Sequence, residues 1–193
     1  MQQKDVRFEE LILKQMKATY KKKIKGPSQL TEEEYRYIAS LVKDSNFLVF
    51  GTGYDSNIWR YVNKNGSTIF LEYDSRWINL EDTDVFKVEY TCKMPDYKIL
   101  LQEYKDNNFK NLQMNLPNIV ENTNWDYIFV DSPNGGSQTS PGRMQSLYAA
   151  KRLASTGTEI FVHDCNREVE DLYSSTLFSC LIKQLTKLRH YKE

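Results

Sequence analysis

The sequence has no surplus of charge of either sign: Lys+Arg and Asp+Glu each number 26 in 193 residues. No overall field favours a polyanion, so a nucleic-acid partner would need a local patch, and none is expected. Cysteine is scarce. Cys92, Cys165 and Cys180 include no CxxC spacing, which argues against a disulfide framework and a zinc finger and for a reducing, cytoplasmic compartment. Apolar runs stop well short of the roughly 18 residues that span a bilayer, and the N-terminus has no signal-peptide h-region. No membrane is expected for the sequence as given, although an anchor could precede it. Internal repeats and linkers are missing too, so one domain is expected, large enough to bury about 70% of its unfolded surface. Aromatic residues, by contrast, are plentiful, 13% with 13 Tyr. They suit either an aromatic-rich core or a stacking surface for a ring-shaped ligand.

Apolar periodicity divides the chain into alternating helices and strands. Phe8, Leu11, Ile12, Met16 and Tyr20 fall at helical spacing, which predicts an amphipathic helix over 1–25 ending in the basic run Lys21-Lys-Lys-Ile-Lys25. Gly26-Pro27 breaks it. Ser28 or Thr31 caps a second helix over 32–42, with Glu34 completing a capping box. Strands are predicted over 47–50, 68–71, 85–90, 125–131 and 159–163, the fourth with the continuous apolar run of a strand buried on both faces. Further helices are expected over 56–62, 96–104 and 143–154, the last with Met144, Leu147, Tyr148 and Leu153 as its apolar side. Residues 107–117 and 132–142 read as loops, 169–188 as helical in pieces, and 188–191 as a terminal edge strand. The alternation predicts a doubly wound α/β fold, a mostly parallel sheet with helices on both faces. Ligands of such sheets bind at the carboxyl ends of the strands, which here carry Gly51, Gly53, Glu72, Asp131, His163 and Asp164.

The first strand stops at Gly51-Thr52-Gly53, and helix begins near Ser56. Glycine in such a turn either lets backbone N–H groups approach a ligand or supplies backbone freedom alone. Glu72 ends the next strand at the ~20-residue spacing from which a carboxylate accepts ribose hydroxyls. The dinucleotide pattern places a third glycine where this chain has Ser56. A nucleoside without a pyrophosphate therefore fits better, and S-adenosylmethionine is the commonest such cofactor. Gly51, Thr52, Gly53, Asp55, Glu72, Tyr73 and Asp131 are the cofactor-binding candidates.

Five motifs carry a resemblance: Phe47-Leu-Val-Phe-Gly-Thr-Gly-Tyr-Asp-Ser56, Phe70-Leu-Glu-Tyr-Asp74, Trp125-Asp-Tyr-Ile-Phe-Val-Asp-Ser-Pro133, Pro141-Gly-Arg-Met144 and Ile160-Phe-Val-His-Asp-Cys-Asn-Arg167. In this order and spacing they resemble the polysaccharide-biosynthesis methyltransferase family that includes the plant glucuronoxylan 4-O-methyltransferases. The resemblance runs from about Gln29 to the C-terminus. It implies a class I, Rossmann-like fold and S-adenosylmethionine-dependent methyl transfer to a sugar hydroxyl of a glycan. On that basis residues 1–30 are a helical extension and 31–193 the methyltransferase domain. The family usually has His where Tyr54 stands and an aromatic near Gly136, where this chain has Gly135-Gly136. Both departures lie beside the substrate mouth.

The residues suit that chemistry in their own right. A sugar hydroxyl attacks poorly until its proton is removed or its charge is stabilised. Asp131 and Asp164 end what should be neighbouring strands and can converge on one hydroxyl. Either Asp131 alone is the base, or Asp131, His163 and Asp164 together hold a divalent cation that acidifies the hydroxyl. A mixed O and N donor set suits Mn²⁺ or a later metal such as Co²⁺ better than Mg²⁺. His163 and Asp164 can share a site only if the strand ends between them, because successive strand side chains point to opposite faces. Arg143, after Pro141-Gly142, either grips a carboxylate or sugar oxygens with its fork or pairs locally on the surface. A sugar acceptor leads; a small phenol or catechol acceptor and a non-catalytic glycan-binding role are the alternatives.

Overall fold

A computed structural model describes residues 6–21, 30–79 and 81–193. Its elements are α1 (Val6–Lys21), α2 (Glu32–Leu41), β1 (Asn46–Phe50), α3 (Ser56–Val62), β2 (Ser67–Glu72), β3 (Val85–Lys87), α4 (Tyr97–Lys105), α5 (Asn118–Glu121), β4 (Tyr127–Val130), α6 (Met144–Leu153), β5 (Glu159–Val162), α7 (Glu168–Leu177), β6 (Cys180–Gln184) and β7 (Arg189–Lys192). The sheet order is β3-β2-β1-β4-β5-β7-β6. Strands β1 to β5 pair in parallel, and β7 joins β5 and β6 antiparallel. The expected doubly wound, mostly parallel sheet is present.

Side-chain alternation along the strands splits the core in two. Leu48, Phe50, Ile69, Leu71, Ile128, Val130, Ile160 and Val162 face one way, onto Leu100, Val120, Leu147 and Tyr173 of α4 to α7. Phe47, Val49, Phe70, Phe129 and Phe161 face the other, onto Ile12, Tyr35, Ile38, Ile58 and Trp59 of α1 to α3. Trp59 is the hub of that second layer, with Phe47, Phe129 and Tyr35 packed around its ring at centroid distances of 6.1, 5.8 and 5.7 Å. Most of the large aromatics thus build core. Among the described residues no helix is long and apolar enough to cross a membrane.

The capping box at α2 forms as read: Thr31 Oγ1 accepts from the Glu34 N–H, and Glu34 Oε2 accepts from the Thr31 N–H. Glu34 also does something its local pattern does not show. Fully buried, it turns Oε1 to the N–H of Lys187 at 2.7 Å, and the Lys187 carbonyl accepts from the Cys165 N–H at 2.8 Å.

Two expectations need correction at the C-terminus. The stretch expected to be helical in pieces is helix only over α7; β6 follows, exposed along its whole length. Its apolar residues Leu181 and Ile182 are held by a hairpin pairing with β7, so neither periodicity nor burial marks it as a strand. Consequently β7 is an inner strand between β5 and β6, and β6 is the edge. The third strand is shorter than expected, ending at Lys87, and α6 begins at Met144, one residue after Arg143. Gly26-Pro27, Ser28 and both ends of the first expected helix lie outside the described residues.

Candidate active site

The turn after β1 is built around a close approach of two backbones. Gly51 has φ +114°, and a Cβ there would stand 2.7 Å from the Cβ of Ser132 in the turn after β4. Its missing side chain therefore admits Ser132 rather than a ligand, which is glycine serving chain geometry. Ser56, at the position of the absent third glycine, accepts the Gly53 N–H on Oγ at 3.0 Å. Glu72 lies at the mouth but is only 3% exposed, and all its acceptor directions are used. Oε2 accepts from Thr52 N and Oγ1, and Oε1 accepts from the N–H groups of Tyr73 and Asp74. A carboxylate here first locks the β1 and β2 loops together. Thr52 Oγ1 also reaches the Trp77 carbonyl at 3.2 Å, so it can release Glu72 without losing its own bond.

Strands β4 and β5 run side by side, and each extends one residue through a ladder bond: Asp131 N–H to Phe50 O, and His163 N–H to Val130 O. After His163 the pleat breaks. Asp164 has φ +62°, a left-handed conformation that Asp tolerates better than most residues. That break puts His163 and Asp164 on the same site. His163 Nδ1 is 2.8 Å from Asp131 Oδ1 and 3.7 Å from Asp164 Oδ1.

Arg143 is buried, which neither expectation for it foresaw. Its Nη2 donates to Asp164 Oδ2 at 2.7 Å and Asp131 Oδ1 at 3.1 Å, and Nη1 to the His163 carbonyl at 2.8 Å. Nε reaches the Pro133 carbonyl at 3.3 Å. The fork is thus closed on the chain's own groups, and it holds the ends of β4 and β5 in register. Arg167 adds a second cation 3.1 Å from Asp164 Oδ2.

These contacts set the chemistry of Asp131. Burial pushes its carboxyl up, but the charges of His163 and Arg143 outweigh that and hold it below the ordinary carboxylate range. Opposite charges thus outweigh desolvation at this carboxyl. Oδ1 is engaged by His163 and Arg143, whereas no described residue donates to Oδ2, and the side chain is 26% exposed to the cleft. Asp164 Oδ1, fully buried, also has no hydrogen-bond partner among the described residues. Asp131, His163 and Asp164 can each offer one ligand atom within 4.8 Å of the others. The unpartnered Asp164 oxygen and the open Asp131 oxygen make this donor set fit a divalent cation.

A cleft of about 340 Å³ joins the pieces, lined by the 51–55 turn, Glu72 to Asp74, Trp77, Asp131 and Arg167. Trp77 and Tyr54 form an exposed edge-to-face pair at its rim, centroids 5.1 Å apart. Trp77 was not legible as a site residue, because it lies in a short 3-10 turn with no motif of its own. Asp55 lines the cleft and accepts from Trp59 Nε1 at 3.3 Å. Burial first, and then the charge of Asp131, push its carboxyl up to about 6. The folded chain thus binds a proton that the unfolded chain has released between pH 4 and 6, so this group's contribution to stability falls as pH rises through that window. Asp55→Asn is expected to gain stability over the parent progressively from pH 4 to 6 and by a constant margin above. Urea melts at pH 4, 5, 6 and 7.5 read this out; a margin independent of pH would refute it.

The family model described as IRX15/IRX15L/GXM matches residues 33–191. Glucuronoxylan 4-O-methyltransferase 1 of Arabidopsis thaliana is 36% identical, over 76% of this chain and 60% of the relative. Arabinogalactan O-methyltransferase 2 of the same plant is 33% identical, again over 76% and 60%. The chain spans about three-fifths of the length of these relatives. Among solved structures, a Staphylococcus aureus protein assigned as a caffeoyl-CoA O-methyltransferase superposes with a TM-score of 0.53 at 13% identity, over 94% of this chain and 92% of that one. MycE methyltransferase from mycinamycin biosynthesis, in complex with Mg and SAH, gives 0.51 at 10% identity, over 96% and 53%. At such identities the likeness shows the class I methyltransferase fold and nothing finer. Sequence identity reaches further than that, and on the family match over most of its length this chain belongs to the IRX15/IRX15L/GXM family.

Proposed function

We propose that the chain is an S-adenosylmethionine-dependent O-methyltransferase acting on a sugar hydroxyl of a polysaccharide. The observation that carries this reading is Asp131 at the end of β4, with Oδ2 open to a cleft that also meets the 51–55 turn and Glu72. The relatives named for glucuronoxylan and arabinogalactan support a polysaccharide acceptor.

When bound, S-adenosylmethionine supplies a methyl group whose C–S bond breaks as the acceptor's O–C bond forms, leaving S-adenosylhomocysteine. Glu72 would hold the ribose hydroxyls, since the Thr52 hydroxyl that it now accepts from can bond the Trp77 carbonyl instead. Asp55, which lines the same cleft, would supply a carboxyl to the cofactor's cationic end. Asp131 Oδ2 accepts the hydrogen of the attacking hydroxyl, orients its lone pair, and takes the proton as the new bond forms. A carboxylate held at low pKa is a weak base, so the hydroxyl needs acidifying from elsewhere. A divalent cation held by Asp131, Asp164 and His163 would lower the hydroxyl's pKa. His163 would join that set through Nδ1, which lies 2.8 Å from Asp131 Oδ1.

The test is direct. S-adenosylhomocysteine should bind in isothermal titration, and radiolabelled methyl groups should appear on glucuronoxylan or arabinogalactan in preference to catechol. Glu72→Ala, which removes four loop-locking bonds along with the ribose acceptor, should abolish cofactor binding. No binding at millimolar ligand overturns the reading. Cofactor binding with transfer to catechol alone replaces the acceptor class, and binding without turnover on any acceptor points to a non-catalytic glycan-binding protein.

A further inference from the structure

Beside the cofactor cleft, and sharing Arg167 with it, lies a second cavity of about 530 Å³ between the 94–98 segment, the 135–138 loop and the start of α7. That volume is within the range of small-molecule sites. Two polar groups that line it have unspent valence. Arg167 uses Nη2 on Asp164 Oδ2, while its Nη1 is buried with no hydrogen-bond partner among the described residues. Glu170, 2% exposed, likewise has Oε1 buried with no partner, 3.9 Å from Arg143 Nε and outside hydrogen-bond reach. Each such group costs free energy, and a ligand that satisfied both would recover it.

The two atoms lie together. A Cβ on Gly135 would stand 3.1 Å from Glu170 Oε1 and 3.8 Å from Arg167 Nη1, so the space between them and the 135–138 loop exists because residue 135 has no side chain. Gly135 has no left-handed φ that would otherwise demand glycine. An orphan donor next to an orphan acceptor complements groups that both accept and donate, which describes the hydroxyls of a polyol. It discriminates against a carboxylate, which Glu170 would repel, and against an amine, which Arg167 would repel.

We propose that this cavity is the acceptor subsite for the sugar ring, with Arg167 Nη1 donating to one ring hydroxyl and Glu170 Oε1 accepting from its neighbour. The inference rests on the methyltransferase reading and deepens it. Arg167 then bridges the two halves of the reaction: one nitrogen steadies Asp164 and the other fixes the ring whose hydroxyl reaches Asp131. Gly135 sets how closely the ring can approach.

Two variants test it, each with cofactor and acceptor measured separately on the full chain. Gly135→Ala fills the space, and Glu170→Gln keeps the shape but weakens the acceptor. Both should bind S-adenosylhomocysteine as the parent does. Both should bind oligosaccharides from glucuronoxylan or arabinogalactan about tenfold or more weakly, the effect of one hydrogen bond to a charged group. In turnover the loss should fall on the acceptor's KM more than on kcat. Should Glu170→Gln fail to fold, Gly135→Ala decides alone. Saccharide affinity within twofold of the parent's in both variants overturns the subsite while leaving the methyltransferase reading intact. A parent that binds S-adenosylhomocysteine but no saccharide overturns the subsite through its acceptor class, and a parent that binds neither overturns both.

Discussion

Arg143→Ala is expected to cost about 3–5 kcal/mol of folding stability, the usual penalty for stripping one partner from a buried ion pair. The guanidinium is buried and makes four hydrogen bonds, two to the carboxylates of Asp131 and Asp164 and two to carbonyls at the ends of adjoining loops. Without it Asp164 keeps Arg167 and, at 3.7 Å, His163, while Asp131 keeps His163 as its hydrogen-bond partner. For a chain of this length the loss corresponds to a fall in Tm of roughly 10 °C. Its pH dependence has a definite sign. Arg143 helps hold Asp131 below the ordinary range, so its contribution is complete above the unfolded carboxylate pKa and disappears as pH falls through the folded one. The gap between parent and variant should therefore be wide at pH 7.5 and narrow towards pH 3. Arg143→Lys keeps the charge but not the planar fork, and should fall between the two. Thermal melts that place Arg143→Ala within 2 °C of the parent at neutral pH would show that the fork contributes little.

Asp131→Asn should have the largest effect on rate. It leaves the cleft's shape unchanged, retains an oxygen for Arg143, and removes the proton acceptor at the attacking hydroxyl. Losses on the order of 10²–10⁴ in kcat accompany removal of a positioned acid–base group. S-adenosylhomocysteine affinity should change little, since the turn after β1 and Glu72 are untouched. Chelation should reproduce the loss, with Mn²⁺ or Co²⁺ restoring the parent but not the variant. Asp164→Asn is the better probe of the second carboxylate than alanine, because it does not leave Arg143 facing an empty space. Full activity after exhaustive chelation, with Asp164→Asn still turning over, would leave Asp131 as the sole base.

What the sequence showed plainly was whatever depends on near neighbours. The capping box at Thr31 and Glu34, the apolar run of β4 and the glycine turn after β1 are written within a few residues each, and they form as read. The convergence of Asp131 with His163 and Asp164 followed from strand order, once the strand was taken to end before Asp164. The partners of Arg143 did not follow. They lie 12 and 21 positions away on separate strand ends, and a guanidinium after a Pro-Gly turn looks the same whether it faces solvent or two carboxylates. Glu72 was legible in part for a related reason: its placement could be read, but the four donors that occupy it belong to two loops whose shapes could not. Arg167 and Glu170 fell within or just beyond a recognised motif, yet only the space beside Gly135 sets them apart from ordinary helix-start charges.

The buried route from Glu34 through Lys187 to Cys165 bears on when the site can exist at all. The N–H that follows the left-handed residue Asp164 is held by a carbonyl from the turn between β6 and β7, and that turn is held by the cap of α2. Chains emerge from the ribosome N-terminus first. Asp131, Arg143, His163 and Asp164 are therefore all synthesised before the segment that fixes the bend presenting them. A nascent chain stalled short of Lys187 thus carries both carboxylates without the backbone bond that follows the bend between them.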